Sequence, residues 1–172
     1  NIIRYLSSSR ALLIGTSGGE FSVRAGGTDE PITPVNIQIK QQSAFGSANV
    51  QPVQVGSTVL FVQRASRKIR ELVYDFNSDS YIAPDLTILA EHITAGGITE
   101  LAYQQEPDSI VWAVRSDGVL LGMTYRREEQ VVGWHRHIIG GVSGAATVTV
   151  ADYANISVGS TLKLTKSDGE TV

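Results

Sequence analysis

The sequence of 172 residues contains no cysteine. This absence excludes disulfide bonds, catalysis by a thiolate and a cysteine-ligated zinc site. No run of about 18 apolar residues occurs, so we expect no transmembrane helix. Positive charge is not in excess: 14 Lys and Arg stand against 17 Asp and Glu, for a net charge of −3. That balance argues against a broadly basic surface of the kind that binds nucleic acid.

The clearest pattern lies in residues 98–137. Four strand-like segments follow one another at a spacing of about ten residues, and Ser116-Asp117-Gly118 between the second and third is a strong hairpin signal. The segments cover residues 98–104, 109–115, 119–125 and 131–137. The two middle segments are nearly all apolar, which favours strands covered on both faces. We therefore predict a four-stranded antiparallel meander of the kind that forms one blade of a β-propeller.

A weak internal repeat extends this prediction along the chain. Residues 58–74 repeat the arrangement of residues 109–125: an apolar strand, a short polar turn and an apolar strand that ends in tyrosine. Residues 11–23 form a third, shorter version, joined by a Gly-Gly turn. Repeats of this kind are typical of radial or linear arrays. The sequence thus predicts an all-β protein in which residues 1–140 form a partial β-propeller, with two full blades and part of a third.

One helix and one further domain are also predicted. Asp85 can cap a helix over residues 85–93, and Gly96-Gly97 would end it. Four apolar residues of this segment would form one stripe at helical spacing: Leu86, Leu89, Ala90 and Ile93. The glycine-rich composition after Ile138 indicates a boundary near Gly141, so residues 141–172 are expected to begin a small β domain or insertion. Neither end of the sequence resembles a natural terminus, and we expect the chain to be a piece of a longer one.

Two groups of side chains have the spacing of metal ligands. Asp75, Asn77 and Asp79 have the spacing that opens a calcium loop, but the glycine and the glutamate that complete such a loop are replaced by Ser80 and Leu86. A polar connection whose side chains bond the local backbone is the simpler interpretation.

The second group is a pair of histidines. His135 and His137 lie two apart on a predicted strand and so point to one face, opposite Trp134. The sequence offers no third ligand beyond a distant His92 or a carboxylate. We therefore interpret the pair as surface or interface residues and predict no metal site.

Clusters of basic residues are the remaining candidates. Two groups are close in sequence: Arg64, Arg67, Lys68 and Arg70, and then Arg126 and Arg127. Solvated hairpin tips account for both groups without a ligand. No P-loop, dinucleotide fingerprint or nucleophile elbow occurs. The sequence therefore predicts no catalytic residue and no cofactor-binding residue.

Several segments together resemble one family of bacteriophage proteins. They are residues 8–16, 57–64, 69–75, 81–87, 111–118 and 133–137, within a resemblance that covers most of residues 8–137. The family is the tail nozzle, or tail tubular protein B, of short-tailed phages and related prophages, to which packaged-DNA stabilisation proteins are close. The matching segments are packing motifs and carry no catalytic residue. Residues 142–172 resemble the start of a small β domain that is inserted in such tail proteins.

The resemblance implies a non-enzymatic virion component. Its members are β-propeller proteins arranged as a homo-oligomeric ring beneath the portal and adaptor, and DNA passes through the lumen during ejection without sequence-specific binding. A host-surface module that binds glycan or protein on a propeller is the alternative. A hydrolase built on a propeller is a third possibility, and clustered carboxylates in a central pocket would distinguish it.

Overall fold

The computed structural model describes residues 1–27 and 30–137, so the small β domain predicted at 141–172 lies outside the described residues. The described chain forms three antiparallel four-stranded sheets. The strands of the first sheet are β1 (Ile3–Ser8), β2 (Leu12–Thr16), β3 (Gly19–Ala25) and β4 (Ile37–Ser43). Those of the middle sheet are β5 (Val53–Val55), β6 (Thr58–Val62), β7 (Ile69–Asp75) and β8 (Ser80–Ile82). Those of the last sheet are β9 (Ile98–Gln104), β10 (Ile110–Arg115), β11 (Leu120–Arg126) and β12 (Val131–His137).

Each sheet is a simple meander in which strands adjacent in sequence pair. The meander predicted for residues 98–137 is confirmed as the last sheet. The three predicted repeats are the central hairpins of the three sheets, namely β2–β3, β6–β7 and β10–β11. The prediction of two full blades and part of a third is therefore wrong in number, because the first sheet also has four strands. Its first strand, Ile3–Ser8, and the three-residue β8 had no clear sequence signal.

The three sheets are stacked, with the middle sheet between the other two. Side chains alternate between the faces of a strand, and all five residues of β6 are buried. Leu60 and Val62 pack in one hydrophobic cluster with side chains of the last sheet. Val59 and Phe61 pack in a second cluster with Tyr5 and other side chains of the first sheet. The prediction that this strand is covered on both faces is confirmed.

Strands in equivalent positions lie against each other in the stack. The fourth strands of the first and middle sheets, β4 and β8, are in contact. The first strands of the middle and last sheets, β5 and β9, are also in contact. The sheets therefore stack with the same strand order rather than with one sheet reversed.

The predicted helix over residues 85–93 is absent, and no helix occurs in the described residues. The segment instead forms successive tight turns, in which the Ala90 amide donates to the Thr87 carbonyl at 2.8 Å and the Ile93 amide to the Ala90 carbonyl at 2.9 Å. Leu89, a member of the predicted apolar stripe, is 92% exposed. The described chain accordingly contains no helix long and apolar enough to cross a membrane.

The backbone of this segment bonds to the neighbouring sheets, which explains why it does not coil. The Leu86 amide donates to the Ile69 carbonyl at 3.0 Å, and the Leu86 carbonyl accepts from the Trp134 indole at 2.9 Å. The Arg115 guanidinium donates to the Ile93 carbonyl at 2.8 Å. Asp85 bonds the Thr87 amide at 2.8 Å, as a helix cap would, but closes only a local turn.

Candidate functional surfaces

The outer face of the first sheet, directed away from the middle sheet, is apolar. Side chains of directly paired residues share a face, and the register places two cross-strand rows there: Leu6, Ile14 and Phe21 in one, and Leu12, Val23 and Ile39 in the other. Ile37 extends the same face beside Ala25. None of these side chains belongs to the two clusters that join the sheets in the described residues.

The exposure of this face increases toward its edges. Val23, at its centre, is only 2% exposed, whereas Leu6 is 58% exposed and Ile39 is 63% exposed. An apolar sheet face of this extent is unusual on a surface in contact only with water. The chain itself already covers the centre of this face, whereas its edges, at Leu6 and Ile39, have the character of a surface that another element covers.

The outer face of the last sheet carries an aromatic group. Trp112, Gly122 and His135 form one cross-strand row, and Val114, Leu120 and His137 form the next. The absence of a side chain at Gly122 leaves room for the His135 ring, because a Cβ there would lie 2.1 Å from a ring atom. The Trp112 ring lies 4.9 Å from the His137 ring, and its indole donates to Gln104 at 3.0 Å.

The predicted orientation of the histidine pair is confirmed. His135 Nδ1 and His137 Nε2 are 2.7 Å apart, and Trp134 points to the other face, where it packs on the core. Burial, and then the neighbouring His137, lower the pKa of His135. No group of three metal-binding side chains occurs within the described ranges. The pair thus belongs to an aromatic surface at the end of the stack.

The calcium-like spacing lies in the turn between β7 and β8. The Ser78 amide donates to the Asp75 carboxylate at 3.2 Å, and Asp79 accepts a hydrogen bond from the Tyr74 hydroxyl. The predicted bonding to the local backbone is confirmed for Asp75, whereas Asp79 bonds a side chain.

In each of the two predicted basic clusters, carboxylates or an aromatic ring engage one or two of the cationic side chains. Lys68 pairs with Asp85 at 2.8 Å and with Glu91 at 2.9 Å. Arg70 is half-buried and stacks on the Phe45 ring at 3.5 Å. Of the second cluster, Arg127 pairs with a buried glutamate, Glu71, of the middle sheet.

A different basic group was missed in the sequence. Arg10, Arg24 and Lys40 line one cleft between the first and middle sheets. They are 14 and 16 residues apart in sequence. The only available signal was the alternation of β3 and β4, which could place Arg24 and Lys40 on one face.

Comparisons with known proteins supply no family for this chain. No model of a protein family matches it, and no curated protein matches it.

Proposed function

We propose that this chain is part of a β-propeller in a tail structural protein of a phage or prophage, a component of the nozzle ring through which DNA is ejected. The observation that carries the proposal is the stack of three four-stranded sheets with an apolar outer face at its first end. The resemblance of residues 8–137 to the tail nozzle family supplies the assignment to the tail. In this role the chain acts by packing and forms no catalytic site.

The equivalence of the three sheets supports a propeller over an isolated sandwich. The middle sheet uses one face for the sheet before it in sequence and the opposite face for the sheet after it. By the same rule, the outer face of the first sheet is where a preceding sheet would pack, and the outer face of the last sheet is where a following one would pack. A closed propeller satisfies both requirements because every blade then has two neighbours.

One observation favours the alternative of a host-binding module. Trp112, His135 and His137 form an aromatic surface, and aromatic side chains of this kind stack on sugar rings. Trp112 is half-buried, however, and its indole is already bonded to Gln104. The arrangement fits an interface between sheets better than an open shelf for glycan.

The tail assignment is tested by electron microscopy of the parent particle. We expect density for the three-sheet stack in a ring on the tail axis below the portal. A particle whose tail lacks this chain would contradict the proposal. A glycan array probed with the purified chain tests the alternative, and specific glycan binding that is lost in Trp112→Ala would favour it.

The packing of the end faces is tested separately on the purified chain. A face that requires a neighbouring sheet should cause self-association, which analytical ultracentrifugation measures. Ile39→Lys places a charge on the outer face and should reduce self-association. Leu89→Lys is the matched control, since Leu89 is 92% exposed and lies outside this face. Equal association of both variants with the unmodified chain would show that the face is not adhesive.

A further inference from the structure

Three cationic side chains from three elements of the first sheet surround one cleft. Arg10 lies in the turn between β1 and β2, Arg24 on β3 and Lys40 on β4. Residues of β7, β8 and their connecting turn, with Tyr74 and Asp79 among them, form the opposite wall. The cleft has a volume of about 60 Å³, and a cavity needs only roughly 10–15 Å³ of such volume to hold one water molecule. It therefore has room for one small ligand.

The charges around the cleft are unequal. None of the three cations forms an ion pair with a carboxylate in the described residues. Arg10 lies over the Tyr74 ring at 4.9 Å, and Lys40 donates to the Asp79 carbonyl at 3.3 Å. Asp79 is the one carboxylate that lines the cleft. Three positive groups and one negative group leave a net charge of about +2 in the cleft at neutral pH.

Asp79, the single carboxylate of the cleft, already accepts a hydrogen bond from the Tyr74 hydroxyl. The hydrogen bond from Tyr74, aided by Lys40, Arg24 and Arg10, lowers the pKa of Asp79 and keeps it ionised. A neighbouring carboxylate, Glu30, is bonded by the Asn36 amide at 3.2 Å. The cations thus retain hydrogen-bonding capacity that these groups do not use.

We propose that this cleft binds a phosphate group, with the guanidinium groups of Arg10 and Arg24 and the ammonium group of Lys40 as its ligands. Arginine presents a planar fork of donors that matches phosphate oxygens, and lysine adds a point charge. A phosphate monoester carries a charge of about −1.5 to −2 at pH 7, which matches the excess positive charge. Free phosphate and phosphomonoesters therefore fit better than a phosphodiester, whose charge is −1. This site does not depend on the proposed tail role.

The test is a titration of the full chain with inorganic phosphate, followed by amide NMR at constant ionic strength. We expect saturable shifts at Tyr74, Asp79 and Ser80. Arg24→Gln and Lys40→Gln should each weaken binding by about tenfold or more, because each removes a charged hydrogen-bond donor. Arg67→Gln is the matched control, since it removes an exposed arginine outside the cleft. Thermal unfolding of each variant establishes that it is folded.

Two further arms identify the ligand. The affinity for phosphate should fall when the pH is lowered from about 7.5 to about 5.5, because phosphate then binds its second proton. Sulfate is a dianion at both pH values, so its affinity should stay the same. A short oligothymidine without terminal phosphate tests the phosphodiester, and tighter binding of it than of phosphate would assign the cleft to nucleic acid backbone. Shifts that grow linearly with every anion, or that are equal in Arg24→Gln and Arg67→Gln, would overturn the proposal.

Discussion

Replacement of Phe61 by alanine should destabilise the protein strongly because this side chain joins two sheets. Phe61 is fully buried on β6, and its ring lies 6.1 Å from that of Tyr5 in the first sheet. It shares a cluster with Leu13 and Leu72. Truncation of a buried phenylalanine to alanine costs about 3–5 kcal/mol, the sum of lost burial and the cavity left behind. Since small domains are stable by only about 5–15 kcal/mol, the loss is a large share of the total.

Urea unfolding followed by circular dichroism measures this loss, and a thermal melt gives a second reading. At about 2–4 °C per kcal/mol for a chain of this size, the melting temperature should fall by roughly 10 °C. Phe76→Ala is the matched control, because Phe76 is 83% exposed in the turn after β7. This surface substitution should change stability by no more than about 0.5 kcal/mol.

The neighbouring residue tests the opposite face of the same strand. Leu60 is fully buried and packs toward the last sheet, so Leu60→Ala should cost about 2–5 kcal/mol. A loss below about 1 kcal/mol for either Phe61→Ala or Leu60→Ala, typical of surface positions, would refute the stacking of the middle sheet between two others.

Three further predictions follow from single contacts. Gly122→Ala should lower the melting temperature because the new Cβ would lie 2.1 Å from an atom of the His135 ring. Gly133→Ala is the matched control, since the nearest atom to its new Cβ is 4.0 Å away. Equal melting temperatures of the two variants would contradict this prediction. Burial and a neighbouring histidine lower the pKa of His135 from its ordinary 6.5. The stability that neutral His135 contributes is thus present above pH 6.5 and lost as pH falls through the pKa of the folded state. His135→Gln should therefore flatten the pH dependence of the free energy of unfolding, measured in urea, between about pH 7 and about pH 5. An unchanged pH dependence would be evidence against this linkage. Burial acts to raise the pKa of Asp85, but hydrogen bonds, that from Lys68 foremost, outweigh it and leave the pKa below 3.8. The stability that ionised Asp85 contributes is present above pH 3.8 and lost on further acidification. Between about pH 5 and about pH 3, the free energy of unfolding of Asp85→Asn should therefore fall less than that of the unmodified chain. An equal fall in both proteins would disprove the linkage.

Hairpins were predictable from the sequence because their signals are local. Ser116-Asp117-Gly118 and the Gly-Gly pair after Ser17 predicted turns between strands. The structure has a tight connection at each place, although Gly19 is already the first residue of β3. Gly118 has a φ of +82°, which glycine adopts without steric cost. The central hairpin of every sheet was therefore found.

Edge strands and the segment 85–97 were harder to predict. The register of β1 shifts between Ile3 and Tyr5, which disturbs the alternation that marks a strand, and β8 has only three residues. The apolar spacing of residues 85–93 fits a helix, but the Leu86 amide is engaged by β7 and Leu89 points to solvent. Tertiary hydrogen bonds determine the backbone conformation of this segment, and no local sequence pattern indicates them.

The candidate sites also differ in whether local sequence signals or tertiary contacts determine them. The sequence by itself determined the central hairpin of each sheet and the shared face of His135 and His137, because alternation and turn chemistry act over a few residues. Only the tertiary structure decided that Lys68 is neutralised by two carboxylates while Arg10 and Arg24 gather with a lysine around one cleft. Strand register and sheet stacking set those neighbours, and both depend on contacts between residues far apart in the chain.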